Sequence, residues 1–436
     1  MPETLEKIKR TRIEYIDLLF TSITGRTHVL TVPADIIEDV MENGIGFDGS
    51  SVGFVGVEES DLFLKPVPDT FRVVPWAEKP TGVMIAQVCR EDKPFELDPR
   101  NILKKVVARA KRVLGDNVEY MTAPEIEFWL FEKSDDTVRF HDDASYFYPP
   151  PADKGYEIRK EIAGALKKLG IQPVKLHHEV PPSKHEIDFQ HSDAVTTADN
   201  TILYRYTVKN IAARHGLVAS FMPKPFYGTY GAGMHTHQSL YDTAKGVNLF
   251  HGDEVYGLSK TALYFIGGLL RYAKAITVAT NPTVNSYKRL VPGWEAPVYV
   301  TWARYNRSAL IRIPMAATPK QKRLEYRATD GSVNPYLAFS AMLAAGLKGI
   351  EEKIEPPEPV EENVYHMSEE ERRRRGIEVL PSSLKEAIEE ARRVRLLEEA
   401  WGREAFEKYI TLKEREWFEY SVMVHEWERK RYLELW

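Results

Sequence analysis

Acidic residues and histidines recur at two-residue spacing in several apolar segments of this sequence. Glu125 and Glu127 alternate with apolar residues within residues 122–131, so an extended strand would place both carboxylates on one face. Two carboxylates at that spacing repel each other unless a positive charge lies beside them. An isolated pair of this kind usually faces water, but residues 129–131 read W-L-F and favour burial. We therefore predict a cation beside the pair, provided that other segments supply further ligands.

Three other segments with strand-like alternation supply such ligands. The candidates are Glu179, Glu186, Asp188, His235, His237 and Ser239. Each has an ordinary explanation alone, because a histidine pair at this spacing is more often packed or solvated than metal-bound. Together with the first pair they provide five carboxylates and two imidazoles. A set dominated by oxygen favours Mg²⁺ or Mn²⁺ over structural zinc, and two divalent ions would offset four of the five negative charges.

Basic residues are concentrated further along the chain, flanking apolar segments. They are Lys288, Arg289, Arg304, Arg307, Arg312, Lys320, Arg323 and Arg327. Arginines beside paired hard metal ions suit phosphoryl transfer, because charge builds on the equatorial oxygens of the transferred group. No Walker A sequence is present, which excludes a P-loop protein. Residues 287–297 surround Glu295 with proline and glycine, as in a lid or an ordinary surface loop.

The strands and helices predicted to carry these residues indicate an α+β protein of two domains. Strands at 13–20 and 27–32 and a helix at 34–43 belong to a small N-terminal domain, 1–97. The larger domain, 98–436, opens with a helix capped by Asp98 and contains many strands. Antiparallel pairing is expected because several connections are too short for crossover helices. Two amphipathic helices are predicted after residue 383.

Composition narrows the class of protein. The chain has 436 residues, 43% of them hydrophobic, and a net charge of −5, which gives no general attraction to nucleic acid or to an acidic membrane. Its one cysteine, Cys89, is compatible with a reducing cytoplasm, where we expect the protein. The most apolar long segment, 261–280, carries Arg271 and Lys274 and predicts a buried helix, not a membrane span.

Many ordered motifs of this chain resemble one family closely, type I glutamine synthetase. The resemblance runs nearly end to end. The motifs are F-D-G-S-S (47–51), E-S-D (59–61), P-E-I-E-F (124–128), H-H-E-V (177–180), H-E-I-D-F (185–189), F-M-P-K-P (221–225), G-M-H-T-H-Q-S-L (233–240), N-S-Y-K-R-L-V-P-G (285–293), N-R-S-A-L-I-R-I-P (306–314) and N-P-Y-L (334–337).

The resemblance implies a role for each candidate residue. One metal ion would be held by Glu127, Glu179 and Glu186, and the other by Glu125, His235 and Glu325. ATP would lie against His237, Ser239, Arg307, Arg312 and Arg323. Glutamate would be bound by Glu127, Glu179, Gly231, His235, Arg289 and Arg327. Ammonium would be bound by Asp48, Ser51, Tyr146 and Glu295, and the catalytic residues would be Asp48, Glu295 and Arg307.

The same resemblance implies a reaction and an assembly. ATP would phosphorylate the γ-carboxylate of glutamate, and Asp48 would take a proton from ammonium so that ammonia attacks the γ-glutamyl phosphate. The N-terminal domain would be β-grasp-like, and the catalytic domain would carry a curved, mainly antiparallel sheet flanked by helices. Asp48 would reach the site of the neighbouring subunit within a dodecamer of two stacked hexameric rings.

This sequence departs from the family pattern beside the expected glutamate site. Tyr230 stands where the family has asparagine, and residues 181–184 read P-P-S-K where the family reads near A-P-G-Q. These changes bear on substrate identity more than on phosphoryl transfer. The alternatives are a γ-glutamyl-amine ligase that uses a polyamine or other organic amine, and a weakly active regulatory paralogue. Asp48, Tyr146 and Glu295 favour ammonia, and the complete metal set argues against a purely regulatory protein.

Overall fold

All of the described strands except β16 (His251–Glu254) belong to two β-sheets in the structure, a computed structural model that describes residues 1–135, 137–294 and 296–435. The strands of the described residues are β1 (Tyr15–Thr21), β2 (Thr27–Pro33), β3 (Ile45–Asp48), β4 (Asp61–Pro66), β5 (Arg72–Val73), β6 (Thr81–Arg90), β7 (Lys93–Pro94), β8 (Val118–Ser134), β9 (Thr137–Phe140), β10 (Pro173–His178), β11 (Lys184–Phe189), β12 (Ser192–Asp193), β13 (Leu217–Ser220), β14 (Met234–Asp242), β15 (Val247–Asn248), β16 (His251–Glu254), β17 (Tyr299–Ala303), β18 (Ala309–Arg312) and β19 (Leu324–Tyr326).

The first sheet contains β1 to β7 in the order β2-β1-β6-β4-β3, with β5 and β7 paired to β6. The two strands predicted near the N-terminus are present as β1 and β2, which pair antiparallel, and the turn between them contains Gly25, whose φ is +91°. A Cβ atom at Gly25 would lie 3.0 Å from the Asn334 backbone, so the turn packs directly on the start of a catalytic-region helix. The Asn334 amide also donates to the carbonyls of Ser22 and Ile23, both at 3.2 Å.

The second sheet has eleven strands and is organised around β8, in the order β10-β11-β8-β14-β19-β18-β17. Its pairings are antiparallel except for β17 with β18. The predicted mainly antiparallel sheet is therefore confirmed. Because β8 is seventeen residues long, it also pairs with β9, β12 and β13. This central strand is where the acidic pair lies.

Helices cover the sheets and the end of the chain. Those of the described residues are α1 (Pro2–Arg10), α2 (Ile37–Asn43), α3 (Pro99–Leu114), α4 (Tyr156–Lys168), α5 (Ala194–Arg214), α6 (Lys260–Arg271), α7 (Ala273–Thr280), α8 (Ser286–Arg289), α9 (Pro335–Glu352), α10 (Glu369–Arg374), α11 (Leu384–Arg393), α12 (Leu396–Trp401), α13 (Arg403–Ser421) and α14 (Glu426–Tyr432). The predicted Asp98 cap is confirmed by its hydrogen bond from the Arg100 amide. The prediction of two helices after residue 383 is wrong. The segment forms four helices, α11 to α14, and one of the breaks between them lies at Gly402, where φ is +87°.

The apolar segment 261–280 is two buried helices instead of one. α6 and α7 meet at a bend of 76°. Among the described residues no single helix has the length and apolar character needed to cross a membrane, and this bent pair meets the criterion only when its two halves are combined. Both helices bury most of their side chains in the apolar cluster that runs through both sheets.

Candidate active site

The strand register brings the predicted acidic and imidazole residues together around β8. Strands β8, β14, β11 and β19 place candidates directly opposite one another. The facing pairs are His235 with Glu125, Glu186 with Glu127, and His237 with Glu325. Side chains at opposed positions of paired strands start about 4.5–5.5 Å apart, so each pair is within contact distance on one face of the sheet.

The first cluster consists of Glu125, His235 and Glu325, whose ligand atoms lie within 4.8 Å of one another. It matches one predicted metal set residue for residue. The Glu125 carboxylate lies 3.3 Å from His235 Nδ1 and 2.9 Å from His237 Nε2. Burial alone would raise the pKa of Glu125, but hydrogen bonds from the two imidazoles hold it below its usual range. This carboxylate is therefore ionised and available to a cation.

Glu325 in the same cluster is fully buried between two arginines. Its carboxylate accepts a hydrogen bond from Arg312 Nε at 2.5 Å and from Arg327 Nη1 at 2.6 Å. Burial opposes ionisation, but Arg327 and the nearby imidazoles lower the pKa of Glu325 to about 2. The negative charge of the first cluster is thus balanced by arginine and histidine side chains of the same chain.

The second cluster differs from its predicted composition. It contains His177, Glu179 and Glu186, with ligand atoms within 4.8 Å of one another, and His177 takes the place predicted for Glu127. The reason is Lys184, whose Nζ lies 2.5 Å from Glu127 Oε2 and pairs with that carboxylate. His177 Nε2 lies 2.9 Å from Glu186.

The charge state of the second cluster supports a role in holding a divalent ion. Burial and the neighbouring carboxylates of Glu125, Glu127 and Glu179 raise the pKa of Glu186 to about 8. Burial and Glu127 also raise the pKa of Glu179. Such crowding of buried oxygens is relieved by a hard divalent cation, and the donor set of carboxylates and one imidazole fits Mg²⁺ or Mn²⁺.

A cavity of about 660 Å³ opens beside the first cluster. Glu125, His237, Ser239 and Arg323 line it, so three of the five predicted ATP-binding residues share one space. Arg323 Nε lies 3.3 Å from His237 Nδ1. Arg312, a fourth predicted residue, is held by Glu325 as described above. The fifth, Arg307, is exposed and is not among the described residues that line this cavity.

The predicted glutamate-binding groups are also close together. Arg289 is buried and donates to the carbonyls of Ala328 and Arg327 at 2.5 and 3.2 Å. A Cβ atom at Gly231 would lie 2.7 Å from Arg289 Cγ, so only glycine lets the two segments approach this closely. The Gly231 carbonyl, however, accepts a hydrogen bond from Lys184 Nζ at 2.8 Å.

Among the described residues, no hydrogen bond or ion pair brings the predicted ammonium-binding residues Asp48 and Tyr146 together. Asp48 is exposed at the end of β3, where Ser50 donates to it at 2.6 Å and the Ser51 hydroxyl donates to its other oxygen. Those hydrogen bonds lower the pKa of Asp48 to about 2. No hydrogen bond or ion pair joins Asp48 to the two clusters within the described residues. Tyr146 does lie beside the second cluster, 5.6 Å from the His177 ring, whereas Glu295 lies outside the described residues.

Sequence reasoning missed several residues of the site. His177 could have been found, because it lies near the end of β10 and two residues before Glu179, the spacing used for the other candidates. Lys184 was visible only as a departure from the family pattern. A buried network of Asp142, Arg159, His178 and His185 gave no signal in the sequence. Its Arg159 guanidinium lies 2.8 Å from His185 Nδ1 and supplies a positive charge beside the start of β11, next to Glu186.

Comparison with known families agrees with this geometry. A family model described as "Glutamine synthetase, catalytic domain" matches residues 96–432, and one described as "Glutamine synthetase, beta-Grasp domain" matches residues 12–91. The chain belongs to the glutamine synthetase family. The predicted family and fold class are thereby confirmed, including the β-grasp character of the N-terminal sheet.

Individual relatives cover almost the whole chain. A glutamine synthetase of Thermotoga maritima is 48% identical over 443 residues, covering 99% of this chain and 100% of the relative. One of Methanosarcina mazei is 44% identical over 442 residues, covering 99% and 97%. Among solved structures, "Apo GmaS without ligand" superposes with a TM-score of 0.90 at 34% identity, covering 100% of both chains. A second, "GmaS/ADP complex-Conformation 1", has the same TM-score and identity and covers 99% of this chain.

Proposed function

We propose that this glutamine synthetase family member ligates ammonia to the γ-carboxylate of L-glutamate, using ATP and passing through γ-glutamyl phosphate. The observation that carries the proposal is the pair of carboxylate–imidazole clusters around Glu125 and Glu186, directly beside the cavity lined by His237, Ser239 and Arg323. Phosphoryl transfer from a nucleotide needs such a combination of hard cation ligands and guanidinium groups.

Each part of the site has a role in this reaction. Divalent ions, Mg²⁺ or Mn²⁺ and two or more per site, would stabilise the charge on the transferred phosphoryl group. Arg307, Arg312 and Arg323 bind the phosphates of ATP, and Arg289 and Arg327 bind the carboxylates of glutamate.

The remaining assignments complete the binding sets. The ions would be held by Glu125, His235 and Glu325 in the first cluster and by His177, Glu179 and Glu186 in the second, with Glu127 of the predicted set beside them and paired to Lys184. Glutamate is bound by Glu127, Glu179, Gly231 and His235 together with the two arginines. His237 and Ser239 contact ATP, and the ammonium site contains Asp48, Ser51, Tyr146 and Glu295.

The ammonium half-site is completed by a second subunit. Asp48 is exposed, ionised and hydrogen-bonded only to its own loop among the described residues, which suits a carboxylate presented to a partner's cation. With Glu295, it binds ammonium and takes its proton before ammonia attacks the acyl phosphate. This arrangement requires a homo-oligomer, which we propose is a dodecamer. We place the protein in the cytoplasm and the boundary between its two domains at residues 97 and 98.

A coupled assay tests the proposal. ATP-dependent phosphate release is measured with glutamate plus ammonium and with glutamate plus a panel of organic amines, and the amide product is identified by mass spectrometry. We expect glutamine and a strict requirement for a divalent ion, with Glu125→Gln as the inactive control. Phosphate release that is independent of glutamate, or no release with any amine, would refute the ligase assignment.

A γ-glutamyl-amine ligase is the second candidate, and one observation favours it. Tyr146 of the ammonium site is 42% exposed and stacks on Phe147 at 4.0 Å, so the pocket is open within one chain. A larger amine could enter if the second subunit that completes the site leaves Tyr146 exposed. A higher kcat/KM for an organic amine than for ammonium in the same assay would select this candidate.

A further inference from the structure

A buried lysine occupies the hydrogen-bond acceptors beside the expected glutamate site. Lys184 is 4% exposed, and its Nζ donates to Glu127 Oε2 at 2.5 Å and to the Gly231 carbonyl at 2.8 Å. A third oxygen, Glu179 Oε2, lies 3.8 Å away. We call these three oxygens the acceptor pocket. All three residues belong to the set proposed above to bind glutamate.

The chemistry of the pocket identifies which part of a substrate would use it. Glutamate brings two carboxylates, which need cations, and one α-ammonium, which needs hydrogen-bond acceptors. Arg289 and Arg327 are the cations of the set, so they suit the carboxylates. Two carboxylates and a carbonyl can accept hydrogen bonds directly from the α-ammonium, whereas a substrate carboxylate could bind to them only through a metal ion. Lys184 places a primary ammonium of the same chemical type in that position.

The backbone holds Lys184 in place. The preceding residue, Ser183, is fully buried with φ at +59°, a left-handed conformation that is uncommon for a residue with a side chain. Its amide donates to Asp142 at 2.8 Å, and its hydroxyl accepts from the Asp142 amide at 3.0 Å. On the other side, Trp129 pairs with Lys184 across β8 and β11, and the lysine ammonium lies 6.0 Å from its ring. The side chain is therefore enclosed.

We propose that Lys184 determines acid specificity by filling the acceptor pocket with an internal ammonium, so that the site accepts dicarboxylic acids that lack an α-ammonium. An open pocket of buried acceptors rejects a substrate without the matching donor, typically by about 10⁴-fold or more. Here the lysine already satisfies those acceptors, so that penalty is absent. A second ammonium sharing the same oxygens would also be repelled by Nζ. The inference rests on the proposed function, because it concerns the acid used by the same ligase site.

The test compares glutamate with glutarate, the five-carbon dicarboxylic acid that has no amino group. Isothermal titration calorimetry with Mn²⁺ and ADP gives the Kd of each acid for the full-length protein. Ligation with ammonium gives kcat/KM separately. We expect the wild type to bind the two acids within about tenfold of each other. Lys184→Gln, which restores the family's residue and frees the pocket, should favour glutamate by at least about 100-fold.

Lys175→Gln is the matched control. Lys175 also pairs with the carboxylate cluster, at 3.3 Å from Glu186 and 2.9 Å from Asp188, but it is half-exposed and does not contact the acceptor pocket among the described residues. Its removal changes the local charge by the same amount as Lys184→Gln, so the binding ratio of the two acids should stay at the wild-type value.

Several results would overturn the inference. A wild-type preference for glutamate of about 100-fold or more would do so, as would an unchanged ratio in folded Lys184→Gln, or failure of both proteins to bind either acid. One additional Mn²⁺ bound by Lys184→Gln, with an unchanged acid ratio, would show that the lysine replaces a metal ion instead. If the variant does not fold, the wild-type ratio decides alone. Absence of ATP-dependent phosphate release would refute the ligase function, while the binding ratios would still decide the role of Lys184.

Discussion

Glu325 and Glu125 belong to the same metal cluster but should respond differently to loss of charge. Glu325→Gln and Glu125→Gln each remove one carboxylate from the set that would hold a divalent ion, so both variants should lose metal-dependent phosphate release. We expect only Glu325→Gln to lose substantial stability when metal is absent. The reason is that Glu325 is fully buried and paired to two arginines, whereas the Glu125 side chain is 22% exposed and contacts two imidazoles.

The expected loss follows from the contacts of Glu325. Its two charge-assisted hydrogen bonds, at 2.5 Å to Arg312 and 2.6 Å to Arg327, each contribute about 1.5–3 kcal/mol. A glutamine oxygen keeps one of them, while the glutamine NH₂ group faces the other guanidinium. One bond is lost and a partly buried cation loses its counter-charge, which costs about 3–5 kcal/mol when a buried pair is broken outright. Since the amide retains part of the contact, we predict a decrease of about 3 kcal/mol in the free energy of unfolding.

Urea denaturation followed by tryptophan fluorescence, in the presence of a chelator and at one protein concentration, measures this difference. Glu325→Gln should unfold at lower urea than the wild type with an unchanged slope, and Glu125→Gln should stay within about 1 kcal/mol of the wild type. Equal losses in the two variants, or no loss in Glu325→Gln, would refute the argument that the arginines depend on Glu325.

The remaining predictions concern the subunit interface, the substrate site and metal binding. Mixing Asp48→Ala with Arg307→Ala protomers should restore part of the activity that each variant lacks, and no recovery despite demonstrated subunit exchange would contradict a shared site. Tyr230→Asn should lower the apparent KM for glutamate about five- to thirtyfold, equivalent to roughly 1–2 kcal/mol, because the asparagine amide can hydrogen-bond the substrate where the tyrosine ring does not. An unchanged or higher KM would contradict this. Metal binding at pH 7 should release a proton from Glu186, whose pKa is about 8, and metal affinity should rise with pH up to that value. Calorimetry in buffers of different ionisation enthalpy measures the proton release. The Glu186→Gln variant should show no such release.

Two-residue periodicity made much of the site predictable. Alternation around Glu125 and Glu127 fixed the face of β8, and the same pattern gave His235 and His237 on β14, because successive side chains of a strand point to opposite faces. Caps with a clear local signal, such as Asp98 before Pro99, located helix starts for the same reason of local geometry.

Features that depend on tertiary contacts were not predictable in this way. Helix α5 begins at Ala194, because Asp193 at the end of the short strand β12 accepts hydrogen bonds from the amides of Val195 and Thr196. Which carboxylate joins which cluster also depended on Lys184, since a long side chain reaches its partners through space. Spacing within a strand indicates the face of a residue, but it does not give the cation that neutralises that residue.

The two clusters compensate their buried negative charge in different ways, and this difference predicts the order in which they bind metal ions. In the first, imidazoles and the arginines around Glu325 keep the carboxylates ionised, so a metal ion meets ligands that need no deprotonation. In the second, burial and the neighbouring carboxylates raise the pKa values of Glu179 and Glu186, and Lys184 Nζ lies 3.8 Å from Glu179. A divalent ion there must displace a proton, so its affinity depends on pH. At neutral pH the first cluster is therefore ready for its ion before the second.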